Sequence, residues 1–305
     1  MRWLAAAVAG ALLTQLAPAT SVSVAAASPA APATPVAKVP ASTALADGIG
    51  YYNQSDRTLH LRNDATTGGS SNYAYPFGPA DPSVPIVVFS GDWNGDGIDG
   101  VGYYNRADGT FHLRNDATRP GRSDYAFTFG PVAPDQVLPV VGDWNHTGRD
   151  GIGYIQSGIA HLRNDATRPG GSNYLVHYRG PVGEPFSGDW DGDGKAGLGY
   201  IDFYACGAVC EGDPSVSLYA REPAITTVDD QPIFFVQSPT PYFTPSVVAG
   251  DWNGDGKDGL AIFFDPDGRM WLFNDVHGSS SNPDYSYSVS GAGLFPRTLV
   301  AGRWH

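Results

Sequence analysis

Hydrophobic and polar residues alternate in short runs along most of this chain. In the clearest run, Phe111, Leu113 and Asn115 fall on one face of an extended segment, and His112 and Arg114 fall on the other. A period of two is typical of β-strands, whereas a helix repeats its apolar positions every three or four residues. No segment shows sustained helical periodicity. The pattern predicts an all-β protein.

One phrase recurs through the chain: a β-run that ends in Gly-Asp-Trp, or in Gly-Arg-Trp in the last copy. Its tryptophans are Trp93, Trp144, Trp190, Trp252 and Trp304, separated by 51, 46, 62 and 52 residues. A period near fifty residues indicates a propeller or another repeat array. Because each tryptophan recurs at a fixed place in the repeat, we interpret it as packing between neighbouring repeats rather than as a platform for sugars.

Four β-runs make up each repeat. In the second repeat they cover Ile86–Trp93, Val101–Asn105, Thr110–Asn115 and Tyr125–Gly130, with turn residues between them. Four antiparallel strands joined by short turns form one propeller blade.

The two ends of the repeat region complement each other. The first repeat starts at Asp47 and matches residues 99–104, but it has no inner strand of its own. Residues 299–304 supply such a strand with nothing after it. Pairing of the two would close a five-bladed ring and leave no exposed edge strand. The alternative is an open or larger array that another molecule completes.

The first residues have the features of an export signal. An early Arg2, an apolar stretch from Trp3 to Ala17 and small residues up to Ala27 are typical of a cleaved signal peptide. The apolar stretch is shorter than the ~20 residues that a membrane-spanning helix needs, which disfavours an anchor. We therefore expect a signal peptide over 1–27, an Ala/Pro-rich linker over 28–44, a propeller over 45–305 and a secreted protein.

Charge and cysteine content narrow the partners. A formal net charge of −13 argues against nucleic acid and anionic membranes as partners, and we expect a monomer. The cysteines are Cys206 and Cys210. In an exported chain they favour a local disulfide, with a redox or zinc pair as the alternative.

A loop rich in oxygen side chains follows three of the Gly-Asp-Trp phrases. Its first, third and fifth positions are Asp92, Asn94 and Asp96, then Asp189, Asp191 and Asp193, then Asp251, Asn253 and Asp255. Position seven, which would offer a backbone carbonyl, is Ile98, Lys195 or Lys257. Alternating oxygens around a tight glycine turn suit Ca²⁺, although similar turns form without metal. Position twelve lacks the glutamate of an EF-hand.

These loops, with the repeated Leu-Arg-Asn phrases and the Phe-Gly-Pro phrases at 77–79 and 129–131, resemble FG-GAP/VCBS-type repeats of the secreted bacterial kind. The resemblance implies a calcium loop between the first two strands of a blade, and a role in adhesion or carbohydrate recognition.

The chain departs from that family in three ways. Position nine is glycine where many family loops have aspartate, and the acid stands at position eight in Asp99 and Asp258, which leaves their part in metal binding open. The loop after Asp143 has His146-Thr147 in place of Gly-Asp, so we expect weak or no metal binding there, and Arg303 replaces the first Asp of the last copy, where we expect no metal.

A second repeated phrase, His-Leu-Arg-Asn, offers candidate ligand-binding residues. They are Arg62, Asn63, Arg114, Asn115, Arg163 and Asn164. Guanidinium and amide groups suit hydroxyl and carboxylate recognition. The competing interpretation, which we favour, is that they tie strands and turns together once per blade.

Catalytic motifs of the nucleophile-elbow, zincin and phosphate-loop types do not occur in the sequence. The resulting prediction is a secreted calcium-binding propeller that acts as a binding or adhesion module for a glycan or an extracellular protein. A polysaccharide hydrolase with its site in the propeller channel is the alternative, and a structural surface protein without a small ligand is a third possibility.

Overall fold

The computed structural model describes residues 45–132, 137–178, 185–204, 215–221, 234–237, 244–265, 268–279, 282–289 and 297–305. All regular secondary structure in these ranges is β-strand. They include no helix with the length and apolar character needed to cross a bilayer.

The strands follow one another with turns between them. In chain order they are β1 (Gly48–Asn53), β2 (Thr58–Arg62), β3 (Tyr73–Pro76), β4 (Ile86–Gly91), β5 (Gly100–Asn105), β6 (Thr110–Arg114), β7 (Tyr125–Thr128), β8 (Leu138–Gly142), β9 (Gly151–Gln156), β10 (Ile159–Arg163), β11 (Tyr174–His177), β12 (Phe186–Gly188), β13 (Gly197–Tyr204), β14 (Ser215–Arg221), β15 (Phe234–Gln237), β16 (Thr244–Gly250), β17 (Gly259–Asp265), β18 (Arg269–Phe273), β19 (Gly278–Ser279), β20 (Tyr285–Ser288) and β21 (Arg297–Gly302). The four runs predicted in the second repeat correspond to β4, β5, β6 and β7.

The strands form five sheets. Four of them have four strands, in the orders β21-β1-β2-β3, β4-β5-β6-β7, β11-β10-β9-β8 and β16-β17-β18-β20. The remaining sheet has the order β12-β13-β14-β15-β19, and its last strand, only two residues long, pairs in parallel. The expectation of uniform four-stranded blades is therefore wrong for this sheet, because β19 extends the outer edge beyond β15.

The sheets are arranged in a ring. The first strands β21, β4, β8, β12 and β16 contact one another in this cyclic order, and β16 returns to β21. The predicted pairing of the two chain ends is confirmed, since β1 and β21 are antiparallel partners from Gly48 opposite Gly302 to Asn53 opposite Arg297. The chain is an all-β propeller.

The hydrophobic core lies between the sheets. Each of the five core clusters combines residues of two neighbouring sheets around one tryptophan of the repeated phrase. Trp93, for example, packs in one cluster with Ile152 of the next sheet, and Trp304 packs with Val101. All five tryptophans are at most 2% exposed, which confirms the packing interpretation and leaves them unavailable as sugar platforms.

The glycine of the repeated phrase is required by this packing. A Cβ atom on Gly91 would lie 2.7 Å from Cη2 of Trp93 and 2.8 Å from Cγ1 of Val141 on the next sheet. Gly188 and Gly250 stand in the same relation to Trp190 and Trp252. The backbone must therefore pass directly under the indole, and any side chain at this position would push the two sheets apart.

Candidate functional site

The loop that starts at Asp189 brings three carboxylates together. One oxygen each from Asp189, Asp191 and Asp193 lies within 4.8 Å of the others. Asp189 sits in the middle of the turn, where its Oδ1 accepts from the N–H of Gly192 and its Oδ2 from the N–H of Gly194, both at 2.8 Å. Burial raises the pKa of Asp189, and Asp191 and Asp193 add to the rise. Three hard oxygen donors in a tight turn fit the chemistry of Ca²⁺.

The loops after Trp93 and Trp252 repeat this backbone with an amide at position three. Asp92 accepts from the N–H groups of Gly95 (2.6 Å) and Gly97 (2.8 Å), as Asp251 does from Gly254 (2.7 Å) and Gly256 (2.8 Å). The Asn94 amide donates to Oδ2 of Asp96 at 2.8 Å. Each set offers two carboxylates and one amide oxygen, so the donor set fits the same cation with one charge fewer.

The loop of residues 143–148, called the eroded loop below, keeps the same turn without an acid at position five. Asp143 still accepts from the N–H of Gly148, at 2.6 Å, but Thr147 occupies position five. Its hydroxyl donates to Oδ1 of Asn145 at 3.0 Å, where the other loops place a second carboxylate. In the sheet β21-β1-β2-β3, which joins the two chain ends, the Arg303 guanidinium donates to the carbonyl of Leu45 at 2.6 and 3.1 Å.

The acids at position eight reach across to the neighbouring sheet. The backbone N–H of Asp99 donates to the carbonyl of Arg303, and the N–H of Arg303 donates back to Oδ2 of Asp99, both at 2.6 Å. The same two-way bridge joins Asp150 with Asp92, Asp258 with Asp189 and Asp47 with Asp251. At the fifth junction Ala196 keeps only the backbone half, donating to the carbonyl of Asp143 at 2.9 Å. These acids act as clamps between sheets.

The clamp acids also line the central channel. A cavity of about 300 Å³ is bounded by the inner strands and by Asp47, Asp99, Asp150 and Asp258. All four residues are half-buried. Burial raises the pKa of Asp150 to about 7 and of Asp47 to about 6. Burial, with repulsion from Asp47, also raises the pKa of Asp99 and of Asp258 well above its ordinary value.

Position nine cannot carry a ligand in the loops that start at Asp92 and Asp251. A Cβ atom on Gly100 would collide with the carbonyl oxygen of Arg114, and one on Gly259 would collide with that of Phe273. The glycine is needed because strands β5 and β17 begin there, in close contact with the next strand of the sheet. Glycine at position nine of these two loops thus has a steric cause.

The Arg-Asn residues of the second repeated phrase lie at the junctions between sheets. Arg114 and Arg163 are only 6% and 4% exposed. The guanidinium of Arg163 lies over the ring of Phe127 on the preceding sheet, at 5.5 Å, and that of Arg62 over Tyr287, at 5.6 Å. The amide of Asn164 donates to the Tyr174 hydroxyl at 3.3 Å. Such contacts are those expected of residues that tie the blades together.

Pockets open at two of these junctions. One, of about 130 Å³, lies between Tyr51 and His60 on one side and Tyr287 on the other. The larger, of about 430 Å³, lies between the Pro76–Gly78 segment and the residues Tyr103, His112 and Arg114. Both contain a tyrosine stacked on a histidine, with ring centroids 4.6 and 4.5 Å apart.

Sequence reasoning missed the clamps and the pockets. The sequence did contain a signal for the clamps. Asp47 and Asp150 both precede Gly-Ile-Gly-Tyr, although Asp47 follows no acidic loop and Asp150 follows the eroded loop, so an acid is present at this position without the metal donors. The cysteine pair, the predicted signal peptide and the linker lie outside the described residues.

Comparison with known proteins adds little beyond the fold. No family model matches the chain, and no curated protein matches it. Among solved structures, the chain is similar to an Agrocybe aegerita lectin that recognises non-reducing terminal N-acetylglucosamine, with 11% identity and a TM-score of 0.40 over 85% of this chain and 95% of the lectin. It is also similar to BBS1N from its complex with ARL6DN, with 12% identity and a TM-score of 0.38 over 77% and 75% of the two chains. For the WD40 domain of Toxoplasma gondii coronin the identity is 12% and the TM-score 0.33, over 77% and 54%.

Proposed function

We propose that this chain is a secreted, calcium-stabilised propeller of the FG-GAP/VCBS type, with five blades, that acts as a binding or adhesion module for a glycan or an extracellular protein. We count the sheet that starts at β12 as the fourth blade, with β19 as an added edge strand. The observation that carries the proposal is the convergence of Asp189, Asp191 and Asp193 in one exposed turn.

Calcium would be held by the side chains at positions one, three and five and by the carbonyl at position seven. The residues are Asp92, Asn94, Asp96 and Ile98, then Asp189, Asp191, Asp193 and Lys195, then Asp251, Asn253, Asp255 and Lys257. When bound, the cation neutralises carboxylates that otherwise repel one another at close range. Asp99 and Asp258 are left out of this set, because one oxygen of each already accepts a hydrogen bond from the neighbouring sheet.

A binding role fits the way the acids and aromatics are distributed. The proposed metal loops connect the first and second strands of their sheets, whereas the tyrosine–histidine pairs lie on the second and third strands, so the metal can stiffen the frame without occupying the pockets. The pockets at the junctions are concave and lined by aromatic and a few polar groups, which is typical of small-ligand sites.

The test combines calcium titration with ligand screening. Calorimetric titration of chelator-treated protein should detect calcium binding, and the Asp191→Ala, Asp193→Ala variant of one loop should bind one calcium ion fewer than wild type. A glycan array with and without calcium should then give binding without release of reducing sugar. Absence of calcium binding, or absence of any glycan or protein ligand, would contradict the corresponding half of the proposal.

A hydrolase with its site in the channel is the second candidate, because Asp99, Asp150 and Asp258 face the cavity with raised pKa values. A carboxyl kept protonated near neutral pH is suited to general acid catalysis. However, each of these carboxylates accepts a backbone N–H across a junction, which restrains its movement toward a substrate. Reducing-sugar release from polysaccharides that disappears in Asp150→Asn would favour this candidate.

A further inference from the structure

The junction between the sheets of β3 and β5 has polar groups that are not in use. The Arg114 side chain is 6% exposed, and its Nη1 has no hydrogen-bond partner among the described residues. A buried N–H without an acceptor is costly, so such a group normally meets a partner. Here Arg114 lines the pocket of about 430 Å³, which places a potential partner within that space.

Two further residues of this pocket are free where their counterparts are engaged. His60 and His161 each contact a serine, through Nδ1 and the hydroxyls of Ser71 (3.3 Å) and Ser172 (3.4 Å). The corresponding pair here is His112 and Ser123, eleven residues apart as in the other repeats, and within the described part of the chain neither side chain makes a hydrogen bond. Burial lowers the pKa of His112, so at neutral pH its ring offers one donor and one acceptor.

An aromatic wall completes the pocket. Tyr103 stacks on His112 with ring planes 12° apart, and Phe77 from the neighbouring sheet meets Tyr103 edge-on at 5.7 Å. Residues 120–123, Arg122 among them, also line the pocket. A sugar ring combines an apolar C–H face with hydroxyls that both donate and accept, and this pocket offers the complement of each: aromatic surface, an Arg donor, a neutral His and a Ser hydroxyl.

The overall charge of the chain favours a neutral ligand over an acidic one. Within the pocket the charged lining residues are Arg114 and Arg122. Asp116 lies 3.8 Å from Nη2 of Arg114 but is itself paired with Arg119 at 2.6 Å, so it offsets the Arg114 charge only in part. The formal net charge of the chain is −13, which repels anions at long range.

We propose that the pocket formed by Phe77, Tyr103, His112, Arg114 and Ser123 binds a neutral hexopyranose unit of a glycan. This inference rests on the proposed binding function and assigns it a place and a ligand class. Arg114 donates to a ring hydroxyl, and His112 and Ser123 bond the neighbouring hydroxyls.

The experiment uses the full chain with calcium present and three neutral probes, the methyl glycosides of glucose, galactose and mannose, with glucuronate as an anionic probe. Saturation-transfer NMR and calorimetry measure binding to wild type, His112→Ala and Ser123→Ala. His161→Ala is the matched control, because that histidine has the same stacked tyrosine but already contacts Ser172. We expect at least one neutral glycoside to bind, with affinity lowered about tenfold or more in His112→Ala and severalfold in Ser123→Ala, and unchanged in His161→Ala.

Several outcomes overturn the assignment. It fails if no neutral glycoside binds, if only glucuronate binds, or if His161→Ala weakens binding as much as His112→Ala. Glycan-array binding that persists in folded His112→Ala and Ser123→Ala would also overturn this pocket while leaving the proposed binding function intact. If the wild type binds no glycan on the array, both the assignment of this pocket and the glycan part of the proposed function are contradicted.

Discussion

Two loops at neighbouring junctions share a backbone and differ in chemistry. After Trp144 and after Trp190, the first aspartate accepts the N–H of position six, at 2.6 Å from Gly148 and 2.8 Å from Gly194. Position four has positive φ in both, 58° at His146 and 81° at Gly192. Yet one loop has threonine at position five and the other has aspartate. The turn is therefore built by the first aspartate and the glycine at position six, and the remaining oxygen groups, which we propose as metal donors, are added to it.

At position eight the same two loops differ the other way round, because the acid is present in the eroded loop and absent from the acidic loop. The eroded loop is followed by the clamp residue Asp150, whereas the acidic loop is followed by Ala196, which has no carboxylate to offer. Asp47 clamps the first sheet although no metal loop precedes it. Position eight thus varies independently of the metal donors, which indicates that its acid serves the junction between sheets.

The largest effect should come from calcium itself. In excess chelator the carboxylates of the three acidic loops repel one another, and calcium removes that repulsion. At about 10 mM calcium, on the order of ten to one hundred times the Kd of extracellular modules, each occupied loop adds about 1.4–2.7 kcal/mol to the free energy of unfolding. Thermal unfolding should shift upward by about 3 °C or more per loop. Equal Tm values in chelator and in calcium would contradict the proposal, and magnesium serves as the control cation.

The clamp at Asp150 should make stability depend on pH when calcium is absent. The pKa of Asp150 is raised to about 7 in the folded state, whereas in the unfolded chain it is near 4. Between about pH 4 and pH 7 the folded state therefore holds a proton that the unfolded state has lost. The free energy of unfolding in chelator should therefore fall as pH rises from about 5 to 8, by on the order of 2 kcal/mol from this group.

Asp150→Asn should flatten this dependence, because an amide keeps the acceptor for the Asp92 N–H and carries no charge. Urea unfolding at several pH values measures the slope. Asp108→Asn, at an exposed turn, controls for loss of an acidic side chain. A slope that Asp150→Asn leaves unchanged would show that other groups cause it.

The strands were predictable from the sequence because their signal is local. The apolar alternation at residues 110–114 and the glycine-rich turns correctly placed β4 to β7, and the unmatched ends predicted the pairing of β1 with β21. The edge strand β19 was not predicted, because Gly278-Ser279 has no β-pattern of its own and pairs only through contact with β15.

The candidate site divides in the same way. The loop donors follow one another along the chain, so their spacing revealed them. The clamps and the pocket at Arg114 join residues of two sheets, such as Asp47 with Asp251, and depend on how blades meet. A repeated acid at position eight showed that the position mattered, but alone it could not separate a metal ligand from a bridge.

A reciprocal exchange tests whether the donors alone distinguish the two loops. Asp193→Thr should remove one bound calcium ion, and in chelator its stability should stay close to that of wild type, since the repulsion between Asp193 and Asp189 is lost together with the hydrogen bonds that Asp193 accepts from Lys195. Thr147→Asp should destabilise the chelated protein by about 1 kcal/mol, because it loses the hydroxyl bond to Asn145 and adds a charge near Asp143. Calorimetric stoichiometry and urea unfolding measure both. Unchanged stoichiometry in Asp193→Thr would separate that loop from calcium binding.

The smallest effect should come from supplying the missing clamp. Ala196 lies against Gly142 as Asp99 lies against Gly302, so an aspartate at 196 has room to reach the N–H of Asp143. Ala196→Asp should raise the free energy of unfolding by about 0.5–1 kcal/mol at about pH 5 and by less at about pH 8, where a buried charge opposes the gain. Ala196→Asn adds the acceptor without the charge, so its gain should be the same at both pH values. Calcium affinity at the Asp189 loop should stay within about twofold of wild type in both variants, because the added oxygen bonds the adjacent sheet. A marked rise in calcium affinity with Ala196→Asp but not with Ala196→Asn would instead return position eight to the metal site.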